Sequence, residues 1–164
     1  MTDGEYTNFD LKVERRAKPC IDSGIMFDIH ESPQYLQIYE TGPEMQIADL
    51  ACTVPDSRSL YQHAGDMLGL IVVRYESVKP VGQWKNYEIK ADHGHVLFFT
   101  NGHEAVNTQI WTPAWKNLVA HSKFAGWTGF AAYHIGNISL QGTEDKGKSE
   151  IKLWFRNIKI RRLP

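Results

Sequence analysis

The chain has 164 residues, the size of one domain, and 42% of them are hydrophobic, so it can bury a core without disulfides or metals. Eighteen basic and nineteen acidic side chains leave a formal charge of −1, which gives no electrostatic footprint for nucleic acid and no polybasic hold on an anionic membrane. No stretch approaches the ~20 apolar residues of a membrane-spanning helix, and Met1 to Asp10 is polar and acidic, without the apolar segment of a signal peptide.

In chain order, Glu5 to Arg16 reads as a strand, because Phe9, Leu11 and Val13 alternate with Asp10, Lys12 and Glu14. Pro19 and Asp22-Ser23-Gly24 punctuate it. Ile25 to Ile29 and Tyr35 to Tyr39 are short strands. Thr41-Gly42-Pro43 is a turn before a strand from Glu44 to about Ala48. Leu50 to Asp66 reads as a loop, Leu68 to Arg74 as an apolar β-branched run, and Lys79 to Gly82 as a turn. Trp84 to Ala91 and Val96 to Thr100 are strands. Asn101-Gly102 then predicts a type I′ hairpin, because both central residues of that turn need positive φ. Ala105 to Ile110 is the returning strand, and Ala114 to Phe124 is the one helical spacing. Ile135 to Leu140 and Ile151 to Ile160 close the chain. In the last strand Ile151, Leu153 and Phe155 share a face and the apolar set then switches to Ile158 and Ile160, which predicts a bulge near Arg156-Asn157. Eight or more short strands with turns between them predict an all-β sandwich or barrel in one domain.

Nucleotide-binding glycine motifs, zinc-protease motifs and the hydrolase elbow are absent. The two cysteines, Cys20 and Cys52, lie in no metal-ligand or redox spacing, and are expected to be free and partly buried. His93 and His95 flank Gly94 in a turn, where solvent exposure is commoner than metal ligation.

The segment Glu44-Met45-Gln46-Ile47-Ala48-Asp49 carries the most chemistry. Period 2 puts Met45 and Ile47 towards the core and Glu44 and Gln46 on the other face. There a carboxylate beside an amide either serves a sugar as acid/base and hydrogen-bond partner or is an ordinary solvated pair. Asp49, at the strand end, can turn to the same site. Trp84 either stacks on a sugar ring or belongs to the core. Lys79 either polarises a carbonyl or is a solvated lysine. Gln141 ends the Gly136 to Gln141 strand as a candidate hydroxyl contact.

Taken together, Tyr6 to Arg16, Asp22 to Ile25, Glu44 to Asp49, Lys79 to Tyr87, Asn101-Gly102, Gly136 to Gln141 and Phe155 to Ile160 resemble, in order and spacing, the 3-keto-disaccharide hydrolase domain family. The resemblance implies a concanavalin/laminin-G-like jelly roll of two antiparallel sheets, with at most one short helix and a sugar-binding concave face. It implies activity on 3-keto-glycosides. A ketone at C3 acidifies the C2 hydrogen; a base removes it, the C1 group leaves, and water can add back. By position Glu44 is the base, with Gln46, Asp49, Lys79, Trp84 and Gln141 around the substrate. No cofactor is evident; a divalent metal is an alternative source of positive charge at the C3 oxygen, but its ligands cannot be named from the sequence. The family's habit also implies a periplasmic or secreted location.

Two departures stand out. Where the family continues Leu-Gln with Asp-His-Gly, Leu140-Gln141 is followed here by Gly142-Thr143-Glu144. The chain also begins almost at the Phe9 strand, so the family's N-terminal strands are expected to be missing, which would leave an open sheet edge for a homodimer. A non-catalytic carbohydrate-binding module and a structural or protein-binding sandwich are the alternatives to an enzyme.

Overall fold

The computed structural model describes residues 1–19, 21–48, 63–73, 77, 79–142 and 153–164. The predicted Asp49, Cys20 and Cys52, and most of the Leu50 to Asp66 loop, lie outside these.

Among the described residues, eight strands form two antiparallel sheets. They are β1 (Phe9–Ala17), β2 (Gly24–Ile29), β3 (Glu44–Gln46), β4 (Lys85–Asp92), β5 (His95–Thr100), β6 (His103–Gln109), β7 (Asn137–Leu140) and β8 (Leu153–Arg162). The larger sheet has the order β6-β5-β4-β1-β8 and the smaller β3-β2-β7. Their inner faces share one core, in which Phe27 of β2 meets Phe9 of β1 and Phe98 of β5 edge to face at 6.1 and 6.0 Å, a favoured ring arrangement. Burial of these alternating apolar faces is the main force holding the sheets together.

Local chemistry sets the connections. His93-Gly94 and Asn101-Gly102 both take positive φ, 49 and 77° in the first and 52 and 84° in the second, so β4-β5 and β5-β6 are two-residue hairpins whose twist suits the strands. Along β8, Asn157 and Ile158 together oppose Val13, between the Lys12–Lys159 and Glu14–Arg156 pairs. Asn157 sits at φ 51°, a conformation Asn tolerates, and its amide donates to Glu14 Oε1 at 2.9 Å. The bulge lets both Phe155 and Ile160 pack on the core. Ile158 does not join them as its spacing predicted; it takes the bulge and is 55% exposed.

The helix α1 spans Pro113–Ala120, shorter than the predicted Ala114 to Phe124. Thr112 caps it by accepting from Trp115 N at 3.2 Å, and proline occupies its first turn. Tyr35 to Tyr39 is no strand. Turns bond Tyr35 N to Ser32 O and Glu40 N to Gln37 O, and Ile38–Glu40 is a single 3-10 turn. Its aromatic residues are held by rings, not by a sheet: Tyr35 donates to or accepts from Tyr133 at 2.9 Å, and Tyr133 stacks on His30.

Both margins of the small sheet are covered. Thr2 N and Tyr6 N donate to Ile138 O and Gly136 O alongside β7, and Gly65, Asp66 and Leu68 exchange hydrogen bonds with Gln46 and Glu44 along β3. Among the described residues, the uncovered strands are β6 and β8 of the larger sheet. No helix among the described residues is long and apolar enough to cross a membrane.

Candidate functional site

The small sheet builds the site on its outer face. Register pairs Gly24 with Gln46, and Met26 with Glu44 on one side and Ser139 on the other. Gln141 N donates to Gly24 O at 2.9 Å, so Gln46, Gly24 and Gln141 form one row and Glu44, Met26 and Ser139 the next. Cross-strand partners share a face. The structure therefore brings Glu44, Gln46 and Gln141 together on the face turned away from Met45 and Ile47, which are fully buried in the core.

That face is not solvated. Glu44 is 8% exposed and Gln46 3%. Alternation correctly separated the two faces, but it could not say what covers the outer one. Gln46 Nε2 donates to Asp22 Oδ1 at 2.6 Å, and Ser23 Oγ donates to Gln141 O at 2.8 Å. These contacts fix the Asp22–Gly24 entry to β2 between the two outer strands.

Glu44 lies across bare backbone. A Cβ on Gly24 would stand 1.6 Å from Glu44 Oε1, so only glycine leaves room for this carboxyl. Burial, and secondarily the negative charge of Asp22, raises the Glu44 pKa to about 7, against a smaller opposing pull from Lys123. A carboxyl half-ionised near neutrality suits proton abstraction.

Among the described residues, Lys123 is the cation whose charge acts on Glu44, and the sequence gives no signal of it beyond one charged residue at the tail of a predicted helix. It follows α1 after the turn closed by Ser122 N and Val119 O. Its stem crosses Gly69, where a Cβ would lie 2.6 Å from Lys123 Cε, and Leu68 N donates to Glu44 O beside it. Its Nζ stands 5.0 Å from the Phe124 ring centroid. Partial burial lowers its pKa, while the Glu44 and Asp22 charges act in the opposite direction.

Asp28 is a buried acid that the sequence analysis does not single out. Its signal was visible as the lone charge in Ile25-Met26-Phe27-Asp28-Ile29. It sits at φ 52° beside the irregular β2-β7 register, is 1% exposed, and neither carboxyl oxygen has a hydrogen-bond partner. Burial alone raises its pKa to about 7.

Trp84 and Lys79 are not brought to Glu44. Arg16 and Glu14 occupy outward positions of β1, alternating with core-facing Val13, on the opposite side of the sandwich. There the Arg156 guanidinium lies 3.9 Å from the Trp84 ring centroid, and that of Arg16 lies 5.1 Å from Trp84 and 4.8 Å from Trp154. Lys79 Nζ donates to Trp84 O at 3.4 Å. This ladder is a cation–π structure on the larger sheet. Motif order identified the segments but carries no information on which face they take. His93 contacts Asp92 at 2.6 Å in its exposed turn, and His95 contacts Asn107 at 2.9 Å. Among the described residues no group of three or more His, Cys, Asp or Glu is placed to hold a metal ion.

Phe124, next to Lys123, also walls a cavity of about 600 Å³ whose lining includes Trp111, Trp115, Trp127, Phe130 and His134. That volume is in the range of small-molecule sites.

Two antiparallel sheets packed on one core, with a recessed carboxylate and amides on one outer face, define a β-sandwich. Residues 1–161 match the 3-keto-alpha-glucoside-1,2-lyase-like domain, and the chain belongs to that family. It is 24% identical over 175 residues to a 3-keto-disaccharide hydrolase of Bacteroides thetaiotaomicron, with 96% of this chain and 59% of the relative aligned; it thus spans about three fifths of that relative. A crystal structure of a candidate glycosyl hydrolase from Parabacteroides distasonis superposes with a TM-score of 0.85 at 24% identity, over 99% of this chain and 73% of that one. A second from the same organism gives 0.72 at 25% identity, over 99% and 81%. The carbohydrate-binding module CBM66 from Bacillus subtilis shares the fold at a TM-score of 0.52 and 8% identity, over 98% of this chain and 83% of that one. The family places the chain among carbohydrate-active, hydrolase-like domains.

Proposed function

We propose that the chain cleaves 3-keto-glycosides by elimination across C1 and C2, with Glu44 as the base. The observation that carries this reading is the Glu44 carboxyl, recessed against Gly24 and without a hydrogen-bond partner among the described residues, on the same face as Gln46 and Gln141. A carboxylate solvated or locked in an ion pair would be a poor base; burial keeps this one basic near neutral pH.

The steps follow from the substrate's chemistry. The C3 ketone acidifies the C2 hydrogen, and Glu44 removes it as an enolate forms. The enolate expels the group at C1, which takes a proton as it leaves. Gln141, whose side-chain amide is unengaged among the described residues, is available to a sugar hydroxyl. Gln46 has one donor committed to Asp22 and offers its remaining polar positions. Lys123, and not Lys79, is the cation we assign to activating the ketone, because Lys79 lies on the other sheet beside Trp84. The aromatic cavity beyond Phe124 offers an apolar wall for the leaving group.

The test is turnover of 3-keto-disaccharides and aryl 3-keto-glucosides by the wild type and Glu44→Gln. The swap keeps shape and removes the base. A fall of at least ~100-fold is expected, the lower range of what a positioned general base contributes; unchanged turnover would move the base elsewhere. The CBM66-like fold favours a second reading, a binding module without catalysis. Measurable sugar binding with no turnover by the wild type would select it.

A further inference from the structure

The Lys123 amine has a setting that simple charge–charge pairing does not explain. It faces the Glu44 and Asp22 charges, yet among the described residues no ion pair within 4.0 Å joins it to a carboxylate. Its stem is held on Gly69 and its head lies against the Phe124 ring. An ammonium locked in a salt bridge is kept protonated and useless as a nucleophile. One lodged against an apolar wall, beside but not bonded to a carboxylate, can give its proton up as substrate displaces water. Lysines that form imines with carbonyl substrates are activated by such desolvation.

We propose that Lys123 attacks the C3 ketone of the bound 3-keto-glycoside and carries the sugar as an iminium while Glu44 removes the C2 proton. This rests on Glu44 being the base, as argued above. Glu44 takes the ammonium proton, the neutral amine adds to C3, and Glu44 returns that proton to the carbinolamine hydroxyl, which leaves as water and gives a protonated C3=N bond. Glu44 takes the C2 hydrogen, and the C2–H electron pair forms a C2=C3 enamine. The enamine expels the C1 substituent: the C1–O bond breaks, C1=C2 forms and the C3 iminium returns. The leaving oxygen takes the proton held by Glu44. Water then hydrolyses the iminium, restoring the amine and releasing a 1,2-unsaturated 3-keto sugar. No oxidant or reductant is consumed. The nitrogen is cationic in both iminium states and neutral as the enamine, and conjugation to C2 makes the proton easier to remove than an ammonium at hydrogen-bond distance would.

The experiment incubates the full chain with a 3-keto-disaccharide and cyanoborohydride, which reduces iminium ions in preference to ketones, and maps the adduct by peptide mass spectrometry. Turnover of Lys123→Arg is measured alongside, since Arg keeps the charge and cannot form the imine. The expected result is a reduced sugar adduct on Lys123, with turnover in Lys123→Arg lower by more than the roughly 100- to 1000-fold that loss of one electrostatic contact costs. Wild-type turnover without an adduct, together with an active Lys123→Arg, would overturn the imine and leave Glu44 as base intact. Wild-type protein that turns over no 3-keto-glycoside would instead sink the Glu44 reading, and the imine with it.

Discussion

Asp28→Asn should stabilise the protein, and by more at high pH than at low. Asp28 is 1% exposed, has no hydrogen-bond partner for either oxygen, and is raised by burial from 3.8 to about 7. The folded chain therefore holds this proton over a range where the unfolded chain has released it. Stability is lost as pH rises from about 4 to about 7 and is level above that. A shift of about 3 pKa units at 1.36 kcal/mol each puts the penalty at about 4 kcal/mol at pH 8.5 and about 2 kcal/mol at pH 5. Asn has the same shape, tolerates the left-handed backbone at φ 52°, and carries no charge to desolvate. Glu44 titrates in the same window in both proteins and cancels from the difference. Urea unfolding of both proteins at pH 5 and pH 8.5 should give a larger gain at pH 8.5, by about 2 kcal/mol. An equal gain at both values would mean that the Asp28 carboxyl is not held neutral by burial.

Gly24→Ala should cut turnover about 100-fold or more while barely moving Tm, because the new methyl displaces the Glu44 carboxyl from 1.6 Å and misplacing a reacting group by about 1 Å has that effect; kinetics beside a thermal melt reads both. At the β8 bulge, Asn157→Val should be less stable than Asn157→Gly by about 1–2 kcal/mol in urea unfolding, since both lose the Glu14 contact but only Val is strained at φ 51°. Thr112→Ala should cost about 1 kcal/mol by the same assay through loss of the α1 cap, leaving KM unchanged.

The sandwich was legible because period-2 alternation is a direct consequence of burying one face of a strand, as in Phe9, Leu11 and Val13. Asn101-Gly102 was legible because few residues accept positive φ, and the β8 bulge because the apolar set changes face along the strand. The Tyr35 to Tyr39 segment misled because its aromatic residues imitate strand composition, while their actual partners are other rings: Tyr35 meets nearby His30 and distant Tyr133, and Tyr39 meets distant Trp127. For the site, alternation put Glu44 and Gln46 on one face, and the order of motifs added Gln141. What it could not supply was depth. The stem of Lys123 crosses Gly69, far away in sequence, where a side chain would crowd it, and Trp84 is turned to the opposite side of the sandwich by strand parity.

The most direct test of the account is the pH dependence of kcat/KM on a 3-keto-disaccharide. Glu44 acts only when ionised, so the rate should rise with pH, reach half its plateau near 7, where burial places its pKa, and level off above that, and this limb should survive in Asp28→Asn but vanish in Glu44→Gln. A half-rise near the ordinary glutamate value of 4.5, or a limb near 7 that persists without the Glu44 carboxylate, would contradict it.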